Sequence, residues 1–249
     1  MPFTFSHPAI VLPLKKISGK MLSLTGLVIG SVAPDFEYFI RMNVHGYYSH
    51  TLSGLFWFDL PLGLLLTFIY HNIVRDQLIS NLPEILNRKL SAFKYFDWVA
   101  YFKKNWIIVL VSILIGAASH LLWDAFTHDD GYFANKIPFL LREVTVAKMN
   151  VEICDILQQL STLVGGLVVV LAIFSLKNQS LDQSDKKYKY WIWVFSITAV
   201  AFIISNLTGV QLHYYTSIIT LMVIRIISAF LIGLTVTPLL IGRTAVYAT

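Results

Sequence analysis

The stretch of sequence that decides the fold of this chain is W-I-I-V-L-V-S-I-L-I-G-A-A-S-H-L-L-W-D-A-F-T-H-D-D, residues 106–130. Its first part, up to Ser119, has no charged residue, which is typical of a helix that crosses a membrane. The part that follows is polar. His120, Asp124 and His128 are spaced four residues apart, and about 3.6 residues per helical turn places them on one face. Two imidazoles and one carboxylate on one face are half of a divalent-metal site.

The composition of the whole chain indicates an integral membrane protein. Of its 249 residues, 56% are hydrophobic and only 13% are charged, whereas soluble domains have about 25% charged residues. The mean hydropathy is +0.67. A single cysteine, Cys154, excludes an internal disulfide. The net charge of +5 is typical of basic cytoplasmic loops in a membrane protein. We therefore expect membrane lipids, and not nucleic acid, as partners.

Hydropathy along the chain predicts an all-α protein, a polytopic membrane helix bundle that forms a single integral membrane domain over residues 1–249. About five segments are long and apolar enough for full spans, namely 51–73, 106–123, 156–176, 190–207 and 217–241. Shorter apolar segments predict an N-terminal helical hairpin over 8–33, in which Gly26 and Gly30 have the spacing of close helix contact. The polar segment 75–104 then forms a cytoplasmic surface connector, and 124–155 forms an extracytoplasmic loop.

The distribution of basic residues predicts the orientation of these spans. Most Lys and Arg residues fall on one side, and the positive-inside rule places that side, with both termini, in the cytoplasm. Asp35, His50, Asp124 and His128 then lie together on the opposite side, with His120 just inside the membrane. His7 reaches this side only if the first two short segments form a hairpin.

The candidate ligands of a hydrolytic metal site are therefore four imidazoles and two carboxylates. They are His7, Asp35, His50, His120, Asp124 and His128. This set suffices for one metal, or for two metals about 3.5–4 Å apart. Zn²⁺ is the favoured metal and Mn²⁺ the alternative, since a bound Zn²⁺ lowers the pKa of a water molecule from about 15.7 to about 7. The lack of a cysteine cluster argues against a structural zinc site. Glu37 and Asp129 are candidate general bases or partners of the imidazoles.

Each of these residues also has a simpler interpretation. Histidine and aspartate at the ends of membrane helices often serve as caps or interfacial groups, and His128 followed by Gly131 reads equally well as a helix terminus. His120 and Asp124 together favour a site, because an ionisable group at membrane depth costs about 2.5–3.5 kcal/mol on insertion scales and is usually functional.

Three further polar residues at membrane depth are candidates for binding a substrate. Asp59 and Arg225 lie inside predicted spans, where they could neutralise each other as an ion pair. Alternatively, Arg225 could face a phosphate, which its planar guanidinium binds well. Gln159, at the start of the third span, could bind a headgroup or a neighbouring helix.

Several motifs together resemble a bacterial membrane family of unknown function. They are F-T-F-S-H-P-A-I-V-L-P-L at 3–14, G-S-V-A-P-D-F-E-Y at 30–38, Y-S-H-T at 48–51, F-D-L-P-L-G at 58–63, H-L-L-W-D-A-F-T-H at 120–128 and Q-Q-L-S-T at 158–162. That family is similar to the YdjM-like membrane-bound metal-dependent hydrolases. The resemblance implies a ligand role for His7, Asp35, His50, His120 and Asp124. It also implies a multi-pass protein of the bacterial inner (plasma) membrane.

The leading hypothesis is a membrane-embedded hydrolase that uses a divalent metal at the outer membrane face to cleave a phosphoester or a lipid headgroup. One alternative is a non-catalytic membrane protein in which the polar cluster passes protons or a small ion. The other is a structural or assembly role, in which the polar groups only hold helices together.

Overall fold

A computed structural model describes residues 4–146, 148–185, 187–208 and 218–242 of the chain. Helix dominates these residues, and five helices are long and apolar enough to cross a membrane, which confirms the predicted all-α fold. Ser217, the first residue of the last predicted span, lies outside the described residues, as do Lys186 and Arg243 of the charge distribution.

Ten helices and two strands make up the described secondary structure, apart from short 3-10 turns at Thr4–Ser6, Ala33–Asp35 and Ser91–Phe93. The helices are α1 (Pro8–Ser18), α2 (Leu24–Val32), α3 (Phe36–Arg41), α4 (Leu55–Asn81), α5 (Glu84–Leu90), α6 (Trp98–Thr127), α7 (Tyr132–Lys136), α8 (Ile153–Phe174), α9 (Lys187–Leu207) and α10 (Ile218–Ile241). The strands are β1 (Glu143–Val146) and β2 (Met149–Glu152).

The first predicted span is displaced along the sequence. Instead of 51–73, α4 runs from Leu55 to Asn81 and includes two π-helical turns, at Leu55–Asp59 and Tyr70–Val74. The sequence analysis ends this span at residue 73 and begins the polar connector at Arg75. In the structure Arg75 is buried, and its guanidinium donates to the Phe96 main-chain oxygen and pairs with Asp76, so the helix continues past it.

The predicted connector 75–104 is consequently shorter and more helical than expected. It contains α5, and α6 already begins at Trp98, which is buried and stacked on His71 at 4.4 Å between ring centroids. This aromatic packing, which is not visible as hydropathy, explains why the helix starts before the apolar run.

The predicted loop 124–155 also has regular structure. Helix α6 continues to Thr127, α7 follows, and β1 pairs with β2 in an antiparallel hairpin with Val144 opposite Val151. A small core of Ala134, Leu140 and Cys154 supports the hairpin.

The chain divides into two compact units, each described separately. The first unit comprises Met1–Asp35, Tyr48–Leu64 and Phe102–Ser175. In it α1 and α2 form the N-terminal hairpin, and α2 lies against α6 so closely that a Cβ added at Gly26 would be 2.7 Å from Ser112 Cβ. Gly30 is in similarly close contact with the main chain of Ile113. The GxxxG spacing therefore allows the helix contact that the sequence predicted.

The second unit comprises Phe36–Tyr47, Leu65–Tyr101 and Leu176–Thr249. Helices α9 and α10 pack along each other in this unit, and α3 packs against α10. Arg225, buried in α10, donates a hydrogen bond from Nη1 to Asn206 Oδ1 at 2.8 Å.

Candidate metal centre

Five of the predicted ligand residues come together in the first unit. His7 directly precedes α1, and Asp35 ends the 3-10 turn that follows α2. His50 lies in the loop before α4, while His120 and Asp124 are one turn apart on α6. Two sets of three residues, which share His120, could hold a metal ion: His7, Asp35 and His120, and His50, His120 and Asp124.

The distances between the facing ligand atoms are longer than most hydrogen bonds. His120 Nε2 is 3.2 Å from Asp124 Oδ2 and 3.5 Å from Asp35 Oδ1. His50 Nε2 is 3.6 Å from each of these two carboxylates. His7 Nε2 is 3.8 Å from the other oxygen of Asp124, Oδ1. Ligand atoms about 2.1 Å from a tetrahedral ion are about 3.4 Å apart, so this spacing fits atoms that surround one cation.

Contacts on the outer side of the cluster orient three of these side chains. His120 Nδ1 lies 2.8 Å from the Ser31 main-chain oxygen, which only accepts, so Nδ1 carries a proton and Nε2 is the nitrogen that faces the carboxylates. Thr4 Oγ1 donates to Asp35 Oδ2 at 2.6 Å, which leaves Oδ1 facing the imidazoles. Ser49 Oγ lies 2.9 Å from His50 Nδ1.

The cluster is deeply buried, except on the side of His50. Asp35 and His120 are fully buried, and 26% of the His50 side chain is exposed. Four buried atoms of the cluster have no hydrogen-bond partner among the described residues: His7 Nε2, Asp35 Oδ1, His120 Nε2 and Asp124 Oδ1. Buried polar atoms without partners are costly, and a shared cation would satisfy all four.

Burial and the neighbouring charges favour the metal-binding forms of His7 and Asp35, but they favour the protonated form of His50. Burial, together with the neighbouring His120, lowers the pKa of His7 to about 3, so that His7 is neutral at physiological pH. Burial alone would raise the pKa of Asp35, but the adjacent imidazoles of His120 and His50 outweigh it and hold the pKa below its ordinary value. Burial also opposes the charging of His50, yet the carboxylates of Asp124 and Asp35 raise its pKa.

The two sets of ligands describe one centre. An imidazole nitrogen has a single lone pair and binds one cation. Both sets contain His120, and because its Nδ1 faces the Ser31 main-chain oxygen, Nε2 is the ligand atom in each set. The donors are nitrogen and carboxylate oxygen without thiolate, which suits Zn²⁺ or Mn²⁺ in a hydrolytic centre. The buried His and Asp groups could therefore hold a metal ion.

Two predicted site residues at and just after the end of α6 are not among the ligands. His128 belongs to neither set; its Nδ1 is 3.1 Å from the Asp124 main-chain oxygen and 3.9 Å from Asp124 Oδ1. Asp129 is exposed in the turn after α6, and its Oδ1 accepts the Asp130 N–H.

Four further predicted site residues belong to neither set of ligands. Glu37, buried in the second unit, accepts hydrogen bonds from Arg41 Nε at 3.0 Å and from the Tyr47 N–H at 2.8 Å. Arg225 belongs to the same unit. In the first unit, Asp59 is buried in the π-helical turn of α4, and Gln159 is exposed on α8. Their roles in catalysis or substrate binding stay predictions.

Sequence reasoning missed the groups that orient the ligands: Thr4, Ser31 and Ser49. Thr4 and Ser49 lie within three residues of a ligand histidine in the quoted motifs, which is the signal that could have singled them out. The Ser31 contact uses a main-chain oxygen, which the sequence does not reveal. The β-hairpin was also missed, although E-V-T-V alternates in the period of a strand.

Comparison with known proteins agrees with the resemblance at the level of the family. The model of a domain of unknown function, DUF4184, matches residues 1–239, and the chain belongs to this family. Neither the curated proteins nor the solved structures gave a match.

Proposed function

We propose that this protein is a membrane-embedded, metal-dependent hydrolase that acts on a phosphoester or a lipid headgroup. The observation that carries the proposal is the convergence of buried nitrogen and oxygen atoms without hydrogen-bond partners, at separations suited to one cation. Zn²⁺ is the favoured ion. When bound, it would act as a Lewis acid and acidify a water molecule.

The chain's own residues would divide the remaining tasks. Asp35 and Asp124 neutralise the cation, and Thr4 and Ser31 fix the ligand atoms that face it. The exposed side of His50 is the approach for water and for the polar part of the substrate. Of the two proposed bases, Asp129 is exposed, whereas Glu37 already accepts two hydrogen bonds, which makes Asp129 the first to substitute.

The carboxylates and the lipid environment support the choice of substrate. A hydrolytic cation with nitrogen and oxygen ligands commonly acts on phosphate esters, and the five apolar helices place the protein in contact with membrane lipids. Arg225 is the proposed anion-binding residue, with Gln159 and Asp59 as further substrate contacts. We also propose that the protein is related to the YdjM-like hydrolases. Its proposed location is the bacterial inner membrane, with both termini in the cytoplasm.

A purely structural role fits the cluster less well. Polar groups that only hold membrane helices together form hydrogen bonds with one another. Here His120 Nε2, His7 Nε2 and Asp35 Oδ1 have no hydrogen-bond partner among the described residues, even though each is buried. An ion pathway would be recognised by transport in proteoliposomes without turnover of any lipid.

The test is hydrolysis by zinc-loaded protein in liposomes that contain phospholipids and lipid monophosphates. Release of phosphate or headgroup should occur with the unmodified chain and be lost in Asp35→Asn, which keeps the shape of the side chain but removes its charge. Asp97→Asn is the matched control, because Asp97 is exposed and its side chain caps the start of α6 by accepting the Ala100 N–H. Equal release by Asp35→Asn and the unmodified chain would refute the proposal.

A further inference from the structure

An apolar cavity of about 560 Å³ lies beside the candidate metal centre in the first unit. Its walls come from the N-terminal 3-10 turn and α1, from the end of α6 and from α8. Ala9, Ile10, Phe126, Leu160, Val164 and Val168 are among the residues that line it. Cavities of about 300–1,000 Å³ with apolar walls are of the size that holds a small ligand.

The hydroxyl groups in the wall have their protons directed into the protein. Ser6 Oγ donates to the Thr162 main-chain oxygen at 2.9 Å, and Ser161 Oγ donates to the Gln158 oxygen at 2.8 Å. Thr127 Oγ1 likewise donates to the Trp123 main-chain oxygen. The interior of the cavity is therefore suited to hydrocarbon and poorly suited to a sugar or a nucleotide, which need polar partners.

A ligand residue of the metal centre forms part of the cavity wall. His7 lines the cavity, and its ring stacks on His120 with 3.8 Å between the ring centroids. Its Nε2 faces Asp124. A molecule that lies in the cavity and ends at His7 would thus have that end at the cation-binding atoms.

Other parts of the cavity wall consist of side chains on two helices that are long and apolar enough to span a membrane. On α6, Trp123 is 38% exposed, and on α8, Val164 is 59% exposed. Their exposed surface faces the lipid in a bilayer, so an acyl chain could enter sideways without crossing water.

We propose that this cavity, the chain site, binds one hydrocarbon chain of an amphiphilic substrate whose phosphate or phosphoester headgroup lies at the metal centre. This inference rests on the proposed function, and it narrows the substrate to a molecule with a long alkyl or prenyl chain. A hydrocarbon chain that moves from the bilayer into the chain site has apolar surroundings in both places, so the transfer itself contributes little binding free energy. The site therefore acts by positioning the headgroup, and its effect is expected in selectivity.

Photolabelling tests the chain site without requiring turnover. The probe is hexadecyl phosphate with a diazirine at the end of its chain, added to the full-length protein in phosphatidylcholine nanodiscs. Labelling should concentrate on peptides around Ile10 and Val164. Val164→Trp fills the site and should reduce this labelling roughly tenfold. Val170→Trp is the matched control on the same helix, since Val170 is also exposed but does not line the cavity, and it should leave labelling unchanged.

Two outcomes would overturn the chain site. One is labelling spread evenly over the outward faces of all membrane helices, as expected for surrounding lipid alone. The other is equal labelling of the peptides around Ile10 and Val164 in both tryptophan variants.

Turnover measurements distinguish failure of this inference from failure of the proposed function. If hydrolysis is found, Val164→Trp should slow cleavage of a long-chain phosphate ester but not of a short, water-soluble one. Equal effects on both esters would reject the chain site and leave the proposed hydrolase function standing. If no ester is cleaved while Val164→Trp still blocks labelling, the chain site stands and the hydrolase proposal is rejected.

Discussion

Replacing Thr4 with valine tests whether the metal centre depends on the groups that orient its ligands. Valine has nearly the same shape as threonine but cannot donate a hydrogen bond. In the structure Thr4 Oγ1 donates to Asp35 Oδ2 at 2.6 Å, and both residues are buried. Without this contact Asp35 is no longer held with Oδ1 toward His50 and His120.

The expected magnitude follows from the kind of contact that is lost. A hydrogen bond to a charged group contributes about 1.5–3 kcal/mol, and about 1.4 kcal/mol corresponds to tenfold in affinity. Loss of a group that orients a metal ligand by a hydrogen bond typically lowers metal affinity about 10- to 100-fold. We therefore expect Thr4→Val to weaken Zn²⁺ binding by this factor, while Thr4→Ser, which keeps the hydroxyl, stays close to the unmodified protein.

The assay is a competitive titration of Zn²⁺ against a chromophoric chelator in detergent solution. Thr235→Val is the control, because Thr235 Oγ1 donates to the Leu231 main-chain oxygen in α10, in the other compact unit. It should leave the affinity unchanged. If Thr4→Val binds Zn²⁺ as tightly as the unmodified chain, Asp35 does not depend on Thr4, and the account of the ligand geometry is wrong.

Three further predictions concern stability and pH. Gly26→Ala should lower the free energy of unfolding by about 1–3 kcal/mol, because the added methyl group overpacks against α6. Gly166→Ala, whose added Cβ would be 3.7 Å from its nearest neighbour, should not lower it. Thermal unfolding in detergent measures both variants, and equal losses of stability would contradict the close contact at Gly26. Asn87→Ala should cost about 3 kcal/mol, because the buried Asn87 side chain makes three hydrogen bonds, to Ile79 and Asp182, of about 1 kcal/mol each. The comparison is Asn135→Ala, at an exposed position, and a similar midpoint for both variants in chemical denaturation would contradict the assignment. Zn²⁺ affinity should fall as the pH is lowered from about 7.5 to about 5.5, because protons compete with the metal for the imidazole nitrogens. The carboxylates of Asp35 and Asp124 strengthen this competition because they raise the pKa of His50. An affinity that does not change with pH in the chelator titration would exclude histidine ligands.

The all-α membrane fold could be predicted because long apolar runs carry it. The 106–119 run has no charge, and a helix satisfies the backbone hydrogen bonds of such a run within the run itself when it lies in lipid. The ends of the helices could not be predicted as well, because they depend on tertiary contacts. Arg75 remains inside α4 through its contacts with Phe96 and Asp76, and Trp98 begins α6 by stacking on His71.

The candidate site was partly visible in the sequence for a similar reason. His120 and Asp124 are one helical turn apart, so local geometry alone brings them together. The approach of His7 and Asp35 to them depends on the N-terminal hairpin and on the contact of Gly26 and Gly30 with α6, which spacing suggests but does not measure. The chain site was not predicted, because its walls come from segments far apart in the sequence.

The most direct test of the metal centre is elemental analysis of the detergent-purified protein beside the Asp124→Ala variant, with folding checked by thermal unfolding. The single centre shared by both ligand sets predicts close to one zinc or manganese ion per chain. In the variant, which loses the carboxylate facing His7, His50 and His120, the metal should be lost. Absence of metal from both proteins after zinc loading, or equal metal in both, would contradict the account.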